Sequence, residues 1–176
     1  IDFYKNEIKR VGINLKKNFR VQKEDLFNFD KIILATGVKP RESKIPGSEL
    51  AENVFSYQEV FEKGANIGKK VAIIGAGGIG FDVAEYLASR GGSPTLNLKK
   101  WLQEWGVVDP ELERGGICLD NKRDLGLDGR EIFLLQRRNE RLGKGLGKTT
   151  GWIHRKSLLK KGVQMIGGVN YEEVLS

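Results

Sequence analysis

Cysteine, histidine and proline are scarce in this chain, at one, one and four among 176 residues. The lone Cys118 excludes an internal disulfide, and it excludes a cysteine-only metal centre or iron–sulfur cluster built within the chain. The cysteine pair at two residues' spacing that disulfide reductases use does not occur either. One plain thiol fits a reducing compartment, so a cytoplasmic location is expected. With His154 as the single histidine, a histidine-based metal site is excluded and no metal is expected. No carboxylate partner for His154 is identifiable nearby in sequence, which favours a structural or cofactor-contact role over acid–base catalysis. No catalytic residue is expected in the chain. Windows of about 18 apolar residues are missing, so no membrane span or membrane partner is expected, and no signal peptide is visible.

What is abundant is glycine, 23 residues, clustered at Gly75–Gly80 and Gly143–Gly151 as in ligand loops rather than spread as in linkers. Hydrophobic residues make up 39% and charged residues 30%, a globular balance. The net charge of +7 suits an anionic partner. No Lys/Arg run exceeds two residues and no nucleic-acid motif occurs, so a small phosphorylated ligand is favoured and no nucleic acid is expected. The sequence opens at Ile1 within an amphipathic pattern, as expected of a piece of a longer protein.

Along the chain, Phe3, Ile8 and Val11 stand among charges over 2–10 and Gly12 closes the segment, which predicts a helix. INLKKNFRV (13–21) alternates as a strand would, and KIILATG (31–37) reads as a buried strand ending in a glycine turn. A connector follows, then a short helix over 56–64. VAII then enters glycines and a helix with Ile79, Val83 and Leu87 on its apolar face. EIFLLQ (131–136) and VQMI (163–166) read as further strands and VNYEEVL (169–175) as a candidate fourth of this region, with a helix over 150–162 capped by Thr149 or Thr150. Strand–helix–strand–helix–strand predicts an α/β fold: a Rossmann-like, doubly wound parallel sheet. Residues 93–130 interrupt it. Trp101 and Trp105 share a helix face there and are expected to pack this insertion onto the sheet. Asp82 and Glu85 read as stabilisers of a helix end.

Gly75, Gly77 and Gly80 form Gly-x-Gly-x-x-Gly directly after a strand and at the start of a helix. Gly75 allows a tight turn, Gly77 lets the backbone approach a pyrophosphate, and Gly80 lets helix and strand pack closely. With Ala76, Gly78 and Ile79 they bring N–H groups and the positive helix end to a dinucleotide. The next strand ends in Gln136-Arg137-Arg138, where NAD-binding folds usually carry an acidic residue. Guanidinium groups bind a 2′-phosphate in fork geometry, so NADPH is favoured, with a solvated basic turn as the plain alternative. GKGLGKTT (143–150) looks like a triphosphate loop, but the glycine that pattern requires falls on Leu142. Its Lys148 therefore faces either the dinucleotide cleft or a neighbouring domain.

VAIIGAGGIGFDVAEYL, the interruption containing LQEWGV, and LLQRRNERLGKGLGKTTGWIHRKSLLKKGVQMI together closely resemble the bacterial NADPH-dependent 2,4-dienoyl-CoA reductases, over most of 31–176. FDKIILATGVKPR (29–41) also resembles the Ala-Thr-Gly segment of flavoproteins that pair an FAD domain with an NAD(P)H domain. The resemblance implies a multidomain oxidoreductase of fatty acid β-oxidation. Its flavin barrel would carry FMN and a 4Fe-4S cluster, and electrons would pass from NADPH to FAD, through the cluster to FMN, and on to the dienoyl-CoA. The barrel, the cluster cysteines and the glycine loop for FAD are not in these residues. It further implies a trailing part of the FAD domain at 1–47, a connector at 48–67 and the NADPH-binding domain at 68–176. Ala35, Thr36 and Gly37 would be flavin contacts, and the rest of the parent polypeptide the partner. The chain alone would be inactive. A nucleotide-binding module of an amine dehydrogenase or enoate reductase relative is the alternative.

Overall fold

Parallel strands buried between neighbours need near-continuous apolar runs, and the chain supplies three, at the amino acids that now form β1 (Lys70–Ile74), β2 (Glu131–Gln136) and β3 (Gln164–Gly167). A computed structural model describes residues 1–89, 94–118 and 129–175. In it the strands form one parallel sheet in the order β1-β2-β3, with Ile74 opposite Leu135 and Leu135 opposite Ile166. The helices are α1 (Asp2–Arg10), α2 (Tyr57–Glu62), α3 (Gly78–Ala88), α4 (Leu98–Trp105) and α5 (Gly151–Lys160). Helix α3 packs on β1, β2 and α5, so the expected Rossmann-like α/β architecture is present.

Two compact units divide the chain, Ile1–Lys39 and Pro40–Ser176. The core lies wholly in the second. Ile132 and Leu134 of β2 and Leu158 of α5 are its largest fully buried side chains, packed with Phe81, Val83 and Leu87 of α3 and Val60 of α2. Burying each of these large side chains stabilises the unit by roughly 1.5–3 kcal/mol. Helix α2 reaches that core on a complete capping box, in which Ser56 accepts from the Glu59 N–H and Glu59 accepts from the Ser56 N–H.

In the first unit α1 forms where its pattern predicts. The strands expected at 13–21 and 31–37 do not: both segments are irregular, and Ile32, Ile33 and Leu34 stand 50%, 90% and 80% exposed. An apolar run becomes a strand only when another strand satisfies its N–H and C=O groups, and no strand of this unit does so. The possible strand at 169–175 is likewise irregular, held instead by the Val174 N–H donating to the Pro46 carbonyl (2.8 Å). In α3, Val83 and Leu87 are buried as expected, whereas Ile79 is half exposed because it sits on the first turn, at the mouth of the glycine loop.

The interruption at 93–130 holds α4, capped by the Asn97 side chain accepting from the Lys100 N–H and ended by left-handed Gly106. Val107 and Ile117 then bridge antiparallel. Residue 93 and the stretch 119–128 lie outside the described residues.

Candidate nucleotide-binding site

The site is built where strands end. Because β1 and β2 are parallel and in register, their carboxyl ends deliver the glycine loop and the arginine loop to the same sheet edge, one strand apart; the Gly75 N–H donates to the Leu135 carbonyl (2.9 Å). In open α/β sheets this edge is where ligands bind.

Gly75 makes the tight turn and Gly80 the close packing that their spacing predicts. Gly75 has φ +107°, a left-handed value that favours glycine and makes the tight turn out of β1. A Cβ on Gly80 would collide with the Gly75 carbonyl oxygen, so only glycine lets α3 lean this closely on the turn. Gly75, Gly77 and Gly78 face the other way: a Cβ on any of them meets nothing within 4 Å. Gly77 caps α3 in extended conformation without a side-chain bond to the first-turn N–H groups. A helix N-terminus left open and free of side chains offers the N–H donors and positive helix end that suit an anionic group.

After β2, Gln136 folds its own loop. Its Nε2 donates to the carbonyls of Arg138 (2.9 Å) and Glu140 (2.6 Å), and the Gly168 N–H also donates to Arg138 (3.1 Å). Gly167, at the end of β3, lets these carbonyls come close. The backbone is thus fixed while Arg137 and Arg138 project exposed. Among the described residues Arg137 makes no hydrogen bond or ion pair; its charge opposes the upward push that burial gives the Tyr171 phenol. Arg138 Nη1 approaches Glu140 Oε1 at 3.5 Å, and Lys144 Nζ reaches Glu140 Oε2 at 2.8 Å. These cations, Lys144 foremost, hold the Glu140 carboxyl below the usual glutamate range.

The glycine-rich segment beyond this loop packs back on α3. A Cβ on Gly143 would meet the Phe81 ring at 2.8 Å, and Arg155 Nη1 donates to the Gly143 carbonyl (3.0 Å). Phe81 belongs to the first turn of α3, so GKGLGKTT lies beside the glycine loop. Lys148 is exposed and makes no hydrogen bond or ion pair among the described residues. Thr150 is the N-cap of α5, though without a side-chain bond. His154 is exposed on α5. Ala35, Thr36 and Gly37 are exposed in the first unit, with Gly37 left-handed (φ +77°).

Two expectations change. Glu85 does not serve a helix end: it accepts from Ser157 Oγ (3.0 Å) and pairs with buried Lys161, tying α3 to α5. Trp105 meets α5 rather than the sheet: Lys160 Nζ lies over its ring (5.2 Å) and donates to the Glu104 carbonyl (2.7 Å). Glu140, Lys144 and Phe81 lie at these loops and were not singled out from the sequence. The first two were signalled by alternating charge after Arg138; Phe81 carried no signal, because its contact with Gly143 crosses from one βα unit to the next.

A glycine loop at a helix start, beside an arginine loop at the next strand's end, defines a dinucleotide-binding domain. The family model for pyridine nucleotide-disulphide oxidoreductases matches residues 1–176, and the chain belongs to that family. It is 35% identical over 98 residues to a cinnamate reductase of Clostridium sporogenes and 32% identical over 101 residues to an NADH oxidase of Thermoanaerobacter brockii. Each match covers 54% of this chain but only 14% and 15% of those proteins, so the chain spans about a seventh of their length. Its fold matches part of a 2-naphthoyl-CoA reductase solved with 2-naphthoyl-CoA (TM-score 0.65, 21% identity, 98% of this chain and 20% of that one).

Proposed function

We propose that the chain is the NADPH-binding region of a multidomain flavoprotein that reduces 2,4-dienoyl-CoA. The observation that carries this reading is the open glycine loop set one strand away from Arg137, which has no ion pair among the described residues. The glycine loop would take the pyrophosphate that both dinucleotides share, and the arginine the 2′-phosphate that NADPH alone carries. Residues 75–80 would orient the dinucleotide along the sheet edge, and Arg137, Arg138 and Lys148 would hold its phosphate end. The bound nucleotide supplies a hydride, for which the FAD implied by the family resemblance is the acceptor.

In this reading residues 1–47 belong to the FAD domain, 48–67 connect, and 68–176 bind NADPH. Ala35, Thr36 and Gly37 would complete a flavin site only with the rest of the parent polypeptide, which also carries FMN, the 4Fe-4S cluster and the substrate site, in a cytoplasmic protein. The dienoyl-CoA assignment rests on the GLGKTTGWIHR block and the tryptophan-containing interruption. The identity to a cinnamate reductase favours an enoate reductase as the second reading. Calorimetric titration tests the nucleotide: NADPH should bind more tightly than NADH, with ATP weakest, and R137A/R138A should weaken NADPH far more than NADH. Equal losses for both would refute the 2′-phosphate assignment.

A further inference from the structure

We infer that Glu140 is a built-in counter-anion of the 2′-phosphate subsite, occupying Arg138 and Lys144 until a phosphate monoester displaces it, and thereby setting how strongly the chain prefers NADPH over NADH. The inference rests on the nucleotide reading above and adds two residues to it. Glu140 bridges the two cations on opposite oxygens, Oε1 toward Arg138 at 3.5 Å and Oε2 toward Lys144 at 2.8 Å. A phosphate monoester presents oxygens of the same kind with greater charge, so it competes for the same donors.

The geometry makes the exchange easy. Arg138 is 85% exposed and its contact with Glu140 is long, so the pair is a weak, solvent-screened one. The backbone beneath it does not need to move. Gln136 Nε2 already holds the carbonyls of both Arg138 and Glu140, and the Gly168 N–H holds Arg138 again. Only side chains must swing. Arg137, with no ion pair among the described residues, is the cation a phosphate meets first. A ligand ending in a plain ribose hydroxyl gains nothing by displacing Glu140, whereas a 2′-phosphate both feels its repulsion and inherits its partners. Removing the carboxylate charge should therefore favour the phosphorylated nucleotide selectively.

The test measures Kd for NADPH, NADH, 2′,5′-ADP and 5′-AMP on the full chain, comparing the parent sequence with Glu140→Gln, Lys144→Gln and the double change R137A/R138A. Glu140→Gln should tighten NADPH and 2′,5′-ADP by about 3- to 10-fold, leave NADH and 5′-AMP within about twofold, and lose this gain as salt is raised toward 1 M. Lys144→Gln should weaken NADPH several-fold, which keeps the test decisive if Glu140→Gln fails to fold. The inference is overturned if the double change weakens NADPH while Glu140→Gln leaves the NADPH/NADH ratio unchanged or lowers it, or if Lys144→Gln has no effect. Those results would leave the nucleotide reading standing. Failure of the parent chain to bind NADPH at all would remove both.

Discussion

Gly77 and Gly80 stand three residues apart in one motif, yet an added methyl group would do different things at each. At Gly80 it would collide with the Gly75 carbonyl oxygen and press toward Leu134 Cδ1 at 3.4 Å, both fixed by the sheet. Gly80→Ala should lower stability by about 1–3 kcal/mol through overpacking, read as a lower urea midpoint. At Gly77 the methyl would point into open space from an ordinary φ of −83°. Gly77→Ala should lose less than about 1 kcal/mol, the cost of a poorer N-cap, while weakening NADPH by about tenfold or more, since in the proposed binding mode the pyrophosphate approaches that backbone. A comparable stability loss in both variants would argue against Gly77 facing the ligand. Glycine spacing announced both positions, but which glycine guards packing and which guards binding depends on what lies across from each.

At the scale of elements, the helices are held by charged groups whose partners lie far away in sequence. Lys161 is almost fully buried, paired with Glu85 of α3, 3.8 Å from Glu104 of α4 and 3.4 Å from Ser89 Oγ. Lys161→Ala would strand these carboxylates, at a cost reduced by the partial exposure of Glu85, and should destabilise the second unit by about 2 kcal/mol. Denaturation followed by tryptophan fluorescence should show α4 loosening first. Helix α2 depends on acid–base state instead. Hydrogen bonds from the Ser56 N–H and hydroxyl hold the Glu59 carboxyl below its ordinary value of 4.5. A group with a lowered folded pKa contributes stability above its unfolded pKa and loses it as pH falls through the folded one. Glu59→Gln should therefore flatten the loss of stability below pH 4.5, measured as melting temperature against pH. The capping box itself was readable as Ser-x-x-Glu; the Glu85–Lys161 tie was not, since nothing local links residues in different βα units.

For the whole molecule, the division into Ile1–Lys39 and Pro40–Ser176 has a direct consequence, because every core residue lies in the second unit. A chain shortened to residues 40–176 should melt within a few degrees of the full chain and keep NADPH affinity within about twofold. A large loss of either would show that the first unit supports the nucleotide site. The full chain should also purify without flavin, since Ala35, Thr36 and Gly37 stand exposed on an irregular segment; yellow protein with an absorption band of bound flavin would contradict this. Among the described residues no helix is long and apolar enough to cross a membrane.

The sequence by itself determined the three parallel strands, the helices that follow β1 and β2, and the glycine loop, because each is written in local terms: an apolar run, a periodicity, a turn residue at a set spacing. It also placed cations after β2. Tertiary structure alone decided the rest. KIILATG has the composition of a buried strand and is exposed, since a strand exists only beside another strand. Trp105 met α5 rather than the sheet, Glu85 found Lys161, and Glu140 came to lie between Arg138 and Lys144 over a loop that Gln136 holds in place. Those are contacts between side chains whose distance is set by how the elements fold over one another, and pattern along a chain does not carry that distance.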